Sequence, residues 1–80
     1  MMHQLKTWPK YFQAIKGGDK TFEYRKNDRG FEKGDILNLL EYNPDTQQYT
    51  GDELHVKVTY ILEGQMGIID GYAIMSIEVI

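Results

Sequence analysis

Eighty residues fall within the size of one domain (residues 1–80), and a composition of 41% hydrophobic and 12% aromatic residues suffices for a compact core. The absence of cysteine excludes a disulfide framework and a cysteine-based zinc site, and no apolar run is long enough for a helical membrane span; a soluble, cytoplasmic protein with no cofactor and no metal is expected. The net charge of −3 is unevenly spread: residues 1–40 hold eight Lys/Arg against five acids, residues 41–80 one lysine against seven, so the halves carry +3 and −6 and the first favours an anionic ligand.

In chain order, residues 7–16 (TWPKYFQAIK) predict a helix. Thr7 can cap it, Pro9 suits a first turn where its missing N–H costs nothing, and Trp8, Tyr11, Phe12 and Ile15 form one apolar stripe. The stripe assigns Trp8 to the core, with a base-stacking platform as the alternative. Gly17-Gly18 supplies a left-handed stop. Phe22–Lys26 then alternates aromatic and charged residues, the signature of a strand, with Phe22 and Tyr24 assigned to the core and Glu23 and Arg25 to the opposite face.

A turn-rich NDRGFEKGD leads to a mostly apolar strand at 35–42, which ends at a reversal opened by Asn43-Pro44-Asp45. Residues 54–62 alternate Val56, Val58, Tyr60 and Leu62 with more polar neighbours, and the glycine-punctuated loop 64–71, with room for a short turn, leads to a last strand at 72–80 that alternates Ala73, Met75, Ile77 and Val79. One helix and several strands imply an α+β domain with a mostly antiparallel, curled sheet, and a small, partly open barrel suits the length. The last strand, ending at Ile80, offers an edge for pairing with a protein partner or a second copy.

Glu23 and Arg25 lie two apart on one strand face, about 7 Å by strand rise. A surface ion pair is one reading of them. The other is a bipolar recognition edge in which Arg25 donates, Glu23 accepts and Lys20 reaches in from the preceding turn, matching the donors and acceptors of a nucleobase while cations meet phosphate. His3 reads as solvated or packed, and His55 as exposed. Two distant histidines and scattered acids do not make a metal site, and Walker, GxGxxG and HExxH motifs are absent.

The run Gly18-Asp19-Lys20-Thr21-Phe22-Glu23-Tyr24-Arg25 resembles the G-x-K-x-x-E-x-R signature of the ASCH superfamily, whose fold is similar to the PUA domain of RNA-modifying proteins. His3-x-Leu5-Lys6, TFEYRKNDRGFEKGD, Tyr49-Thr50-Gly51 and residues 58–62 extend the likeness to a small bacterial and phage family of this type, DUF3850. The resemblance implies a small PUA-like (ASCH) partly open β-barrel with one main N-terminal helix, and an RNA- or nucleotide-binding cleft lined by Lys20, Glu23 and Arg25. Lys6 and Lys26 would add phosphate contacts and Trp8 a stacking surface. Some ASCH-type proteins hydrolyse an amide on a modified cytidine, with the signature lysine activating a threonine three positions later. Here that position is Glu23, and Thr21 sits at a different depth, so the catalytic set is unassigned; a small hydrolase of modified nucleosides and a protein-interaction module stand as alternatives.

Overall fold

The computed structural model describes residues 1–64 and 66–80. Its elements are β1 (Met2–Thr7), α1 (Pro9–Lys16), β2 (Phe22–Lys26), β3 (Ile36–Asn43), β4 (Gln48–Glu63) and β5 (Tyr72–Val79). The strands form one sheet in the order β1-β3-β4-β5-β2. β1 runs parallel to β3, and the other three pairings are antiparallel. The result is an α+β fold built on a curled half-barrel of five strands. Among the described residues no helix is long and apolar enough to cross a membrane.

Alternation along the strands builds the core. Leu5, Leu37, Leu39, Val56, Val58, Met75 and Ile77 point inward, and α1 closes the open side of the curl with Phe12 and Ile15, both fully buried. Burying each such side chain contributes about 1.5–3 kcal/mol, which is what keeps an eight-residue helix in place. Two register shifts, between Leu40 and Tyr42 in β3 and between Val58 and Tyr60 in β4, bend the sheet. The second also moves the inward face by one residue, so Ile61 packs against the core while Tyr60 is exposed and Leu62 marginally so. A simple alternation over Val56, Val58, Tyr60 and Leu62 therefore holds only for its first half.

Curling brings the two edge strands, β1 and β2, to face each other. Their seam is closed by side chains: Arg25 Nη2 donates to the Lys6 carbonyl (2.8 Å) and Arg29 Nη1 to the Gln4 carbonyl (2.8 Å).

The structure departs from the sequence pattern at several places. Residues Met2–Thr7 form a strand that the pattern does not announce, because only Leu5 among its inward positions His3, Leu5 and Thr7 is apolar. Thr7 consequently ends β1 instead of capping the helix; Trp8 holds the capping position without a side-chain bond, and Pro9 opens α1. Of the helical stripe, Phe12 and Ile15 are buried but Trp8 and Tyr11 are 54% and 44% exposed, so Trp8 is not a core residue. β2 is inverted: Glu23 is 4% exposed, whereas Phe22 and Tyr24 are about half exposed. The Asn43 turn is as expected, with the Asn43 side-chain oxygen accepting the N–H groups of Asp45 and Thr46, but β4 begins at Gln48, well before residue 54.

β5 pairs with β4 on one side and with β2, along Tyr72–Ser76, on the other, so the last strand is interior and offers no free edge there. Its fourth apolar position, Val79, is exposed. In the loop before it, Gln65 lies outside the described residues, and the Tyr72 N–H to Ile69 carbonyl bond closes a turn.

Candidate functional site

The helix end positions the first functional residue. Gly17 stays right-handed and Gly18 takes the left-handed step (φ 90°), which a side chain would resist. The chain then turns back under α1, with the Gly18 N–H on the Ile15 carbonyl and the Lys20 N–H on the Ala14 carbonyl. From there the Lys20 ammonium reaches the Phe22 carbonyl (2.7 Å) and Glu23 Oε1 (2.8 Å).

Glu23 is the centre of the arrangement. Its other oxygen, Oε2, accepts from Arg25 Nε at 2.6 Å, so one buried carboxylate holds two cations. Arg25 Nη2 donates in turn to the Lys6 carbonyl and to Thr7 Oγ1 (3.2 Å). Nη1 of Arg25 and one N–H of Lys20 have no partner among the described residues. Both side chains keep partial exposure, 17% for Lys20 and 25% for Arg25, against 5% for Glu23. Glu23 thus orients its neighbours, and what the site turns outward is donors and positive charge.

These groups line a cleft of about 480 Å³ between α1, the end of β1 and β2, within the usual range for small-molecule sites. Its rim is aromatic: Trp8 and Tyr11 from the helix side, Phe22 and Tyr24 from β2. The Lys20 ammonium lies 4.8 Å from the Phe22 ring centre and 5.5 Å from that of Tyr11, within cation–π range of both. Lys6, on the opposite wall, rests over Tyr42 at 4.5 Å.

Five of the six residues singled out from sequence, Lys6, Trp8, Lys20, Glu23 and Arg25, line this one cleft. Lys26 does not; it points to a neighbouring cleft on the far side of Arg25. Sequence reasoning missed Thr7, Tyr11, Phe22 and Tyr24 as cleft residues because it placed the aromatics in the core and made Thr7 a cap. It also missed Tyr42 and Tyr49, whose position under Lys6 follows from their direct pairing across the β3–β4 hairpin. Thr21 is exposed, and its carbonyl accepts the Ile77 N–H.

A second buried carboxylate sits elsewhere. Asp35 Oδ2 is 2.9 Å from His3 Nε2 and 3.0 Å from the Glu32 N–H, and Oδ1 is 3.2 Å from the amino terminus. The Phe31 ring packs edge-on against His3 at 4.9 Å. Burial alone would push the Asp35 carboxyl up; the bonds from His3, from the Glu32 N–H and from the terminal ammonium together outweigh it and hold the group below its ordinary value. His3 is therefore a packed residue, whereas His55 is exposed.

Residues 2–77 match the family model DUF3850, a domain of unknown function, and the chain belongs to that family. It is 34% identical over 62 residues to an uncharacterized 12.9 kDa protein in the GpA 3′ region of Escherichia phage P2, an alignment that takes in 78% of this chain and 55% of the phage protein. The chain thus spans about half the length of that relative. The fold is similar to the crystal structure of the hypothetical protein PH0355, with a TM-score of 0.69 at 22% identity over the whole of both chains.

Proposed function

We propose that the cleft binds RNA or a nucleotide, with a base against the aromatic rim and phosphate or carbonyl oxygens on the outward donors of Arg25 and Lys20. One observation carries the reading: exposed Trp8, Tyr11, Phe22 and Tyr24 surround two cations whose shared carboxylate is turned inward. Aromatic faces stack on bases of any sequence for about 1–3 kcal/mol each, and cations beside them neutralise the backbone. Glu23 acts by holding Lys20 and Arg25 in register, a role distinct from accepting a hydrogen bond from the base. The G-x-K-x-x-E-x-R run forming the cleft supports an ASCH/PUA-like assignment within the family, and a cytoplasmic site of action fits such a ligand.

The test is a fluorescence or NMR titration with short single-stranded RNA and with nucleoside 5′-monophosphates at two salt concentrations. The expected result is salt-dependent binding that perturbs Trp8 and the Lys20 and Arg25 region. Salt-independent binding, or perturbations confined to residues 41–80, would overturn it. Turnover of an acylated cytidine, lost in Lys20→Ala, would replace binding with hydrolysis as the function.

A further inference from the structure

Arg25 is the partition between two clefts. Beyond it, a second depression of about 310 Å³ is lined by Leu5, Lys26, Asp28, Arg29, Phe31 and Tyr72, and it shares Tyr24 and Arg25 with the first. The two clefts together present Lys6, Lys20, Arg25, Lys26 and Arg29 against Glu23 and Asp28, a local charge of +3. Because the chain as a whole carries −3, everything outside the clefts carries −6. Positive potential is therefore concentrated on one continuous track of an acidic protein.

Aromatic surface follows the same track. Tyr24, shared by both clefts and 45% exposed, packs against Tyr72 with ring centres 5.4 Å apart. Trp8 and Tyr11 lie on one side of Arg25, and the Tyr24–Tyr72 pair reaches the other. The cations of the second cleft differ in their freedom. Arg29 is fixed by its bond to the Gln4 carbonyl, whereas Lys26 is exposed, with no hydrogen-bond partner among the described residues.

Resting on the binding reading above, we infer that the ligand is a single-stranded oligonucleotide of at least two residues, crossing Arg25 so that one base occupies each cleft. A mononucleotide would fill the first cleft and leave Lys26, Arg29 and Tyr72 without a ligand contact. A strand that crosses the partition brings an internucleotide phosphate to the guanidinium, where Nη1 has no partner among the described residues, and the next phosphate to Lys26. Asp28 sets a limit on the far side, since its carboxylate repels a phosphate placed against it.

The experiment compares nucleoside 5′-monophosphates with a pool of RNA tetranucleotides, on the unaltered chain and on Lys26→Gln and Tyr72→Ala, by titration at two salt concentrations. The tetranucleotides are expected to bind at least about tenfold more tightly than the monophosphates, and Lys26→Gln to lower the salt slope for the tetranucleotides by about 0.7, one phosphate contact on a single strand, without changing monophosphate affinity. Tyr72→Ala is expected to weaken the tetranucleotides alone. Equal affinity for the two ligand lengths, or tetranucleotide binding indifferent to both Lys26→Gln and Tyr72→Ala, would overturn the inference and leave the first cleft intact as a nucleotide site. Failure of both ligand lengths on the intact chain would overturn the binding reading itself, and the inference with it. Circular dichroism establishes that each variant is folded, and Lys26→Gln, which alters no internal bond, keeps the test decisive if Tyr72→Ala is not.

Discussion

Among the described residues, two buried carboxylates have cationic partners, and they do opposite things. Asp35 lies among His3, the Glu32 N–H and the amino terminus, with the His3 and Asp35 side chains 7% and 8% exposed. Glu23 is as deeply buried, but its partners Lys20 and Arg25 extend toward an open cleft. At Asp35 the hydrogen bonds from His3 and the Glu32 N–H tie the loop before β3 to the edge strand β1. At Glu23 the carboxylate consumes only part of each cation's donor set and aims the rest at solvent. A buried acid is therefore a clamp or a template according to whether the spare donors of its partners line a cleft, as those of Lys20 and Arg25 do.

Removing each acid in turn separates the two roles by the largest expected effect. Asp35→Ala leaves a buried histidine and a backbone N–H without their acceptor, and is expected to cost about 3 kcal/mol, a fall in Tm on the order of 12–24 °C for a domain of this size. Glu23→Gln keeps a carbonyl acceptor and leaves two cations that are 17% and 25% exposed at the edge of an open cleft, so the expected loss is smaller, about 1.5 kcal/mol. Its main effect is expected on binding, where tetranucleotide affinity falls as Lys20 and Arg25 lose their alignment. Thermal melts beside RNA titrations check both, and equal stability losses with unaltered binding would erase the distinction.

A pH series sharpens it further. Asp35 has a folded-state pKa held below its unfolded one, so its contribution is complete above the unfolded value, about pH 4, and disappears as pH falls through the lower folded value. Acid titration of stability is expected to steepen below about pH 4 in the intact chain and to be shallower in Asp35→Asn.

Trp8→Ala comes next. With half its surface already in water, the indole contributes little to the core, and the expected signature is a Tm within a few degrees of the original together with a binding loss of about 1–3 kcal/mol. A large fall in Tm would return Trp8 to the core. The smallest effect is expected at Lys16–Asp52, an exposed ion pair at 2.9 Å whose loss in Asp52→Asn should leave both Tm and binding within experimental scatter.

Much of the fold was readable because it depends on period and punctuation. The helix stop at Gly17-Gly18, the Asn43 reversal and the apolar faces of β3 and β5 follow from residue type alone. Which face of β2 turns inward did not follow. Alternation states that Phe22 and Tyr24 oppose Glu23 and Arg25, but the choice between faces is made by side-chain partners: Lys20, three residues before Glu23, and the β1 carbonyl of Lys6, nineteen residues before Arg25. A carboxylate with two cationic donors can be buried, and that frees the aromatics for the rim. β1 was hidden for a related reason, since His3 and Thr7 are inward positions satisfied by distant groups, Asp35 and Arg25. The cleft residues Lys20, Glu23 and Arg25 were legible as a motif; their neighbours Thr7, Tyr11, Phe22 and Tyr24 became visible only once the chain was folded.

The arginine-stitched seam between β1 and β2 has a bearing on how this protein behaves in crowded solution. An edge strand with unpaired carbonyls is a template for pairing with another chain, and Gln4 and Lys6 are such acceptors on β1. Arg29 and Arg25 occupy them with groups that cannot continue a ladder. Guanidinium groups that line the clefts thereby also guard an open edge against aggregation, and light scattering of Arg29→Ala at rising concentration would expose the Gln4 part of the template that the unaltered chain keeps covered.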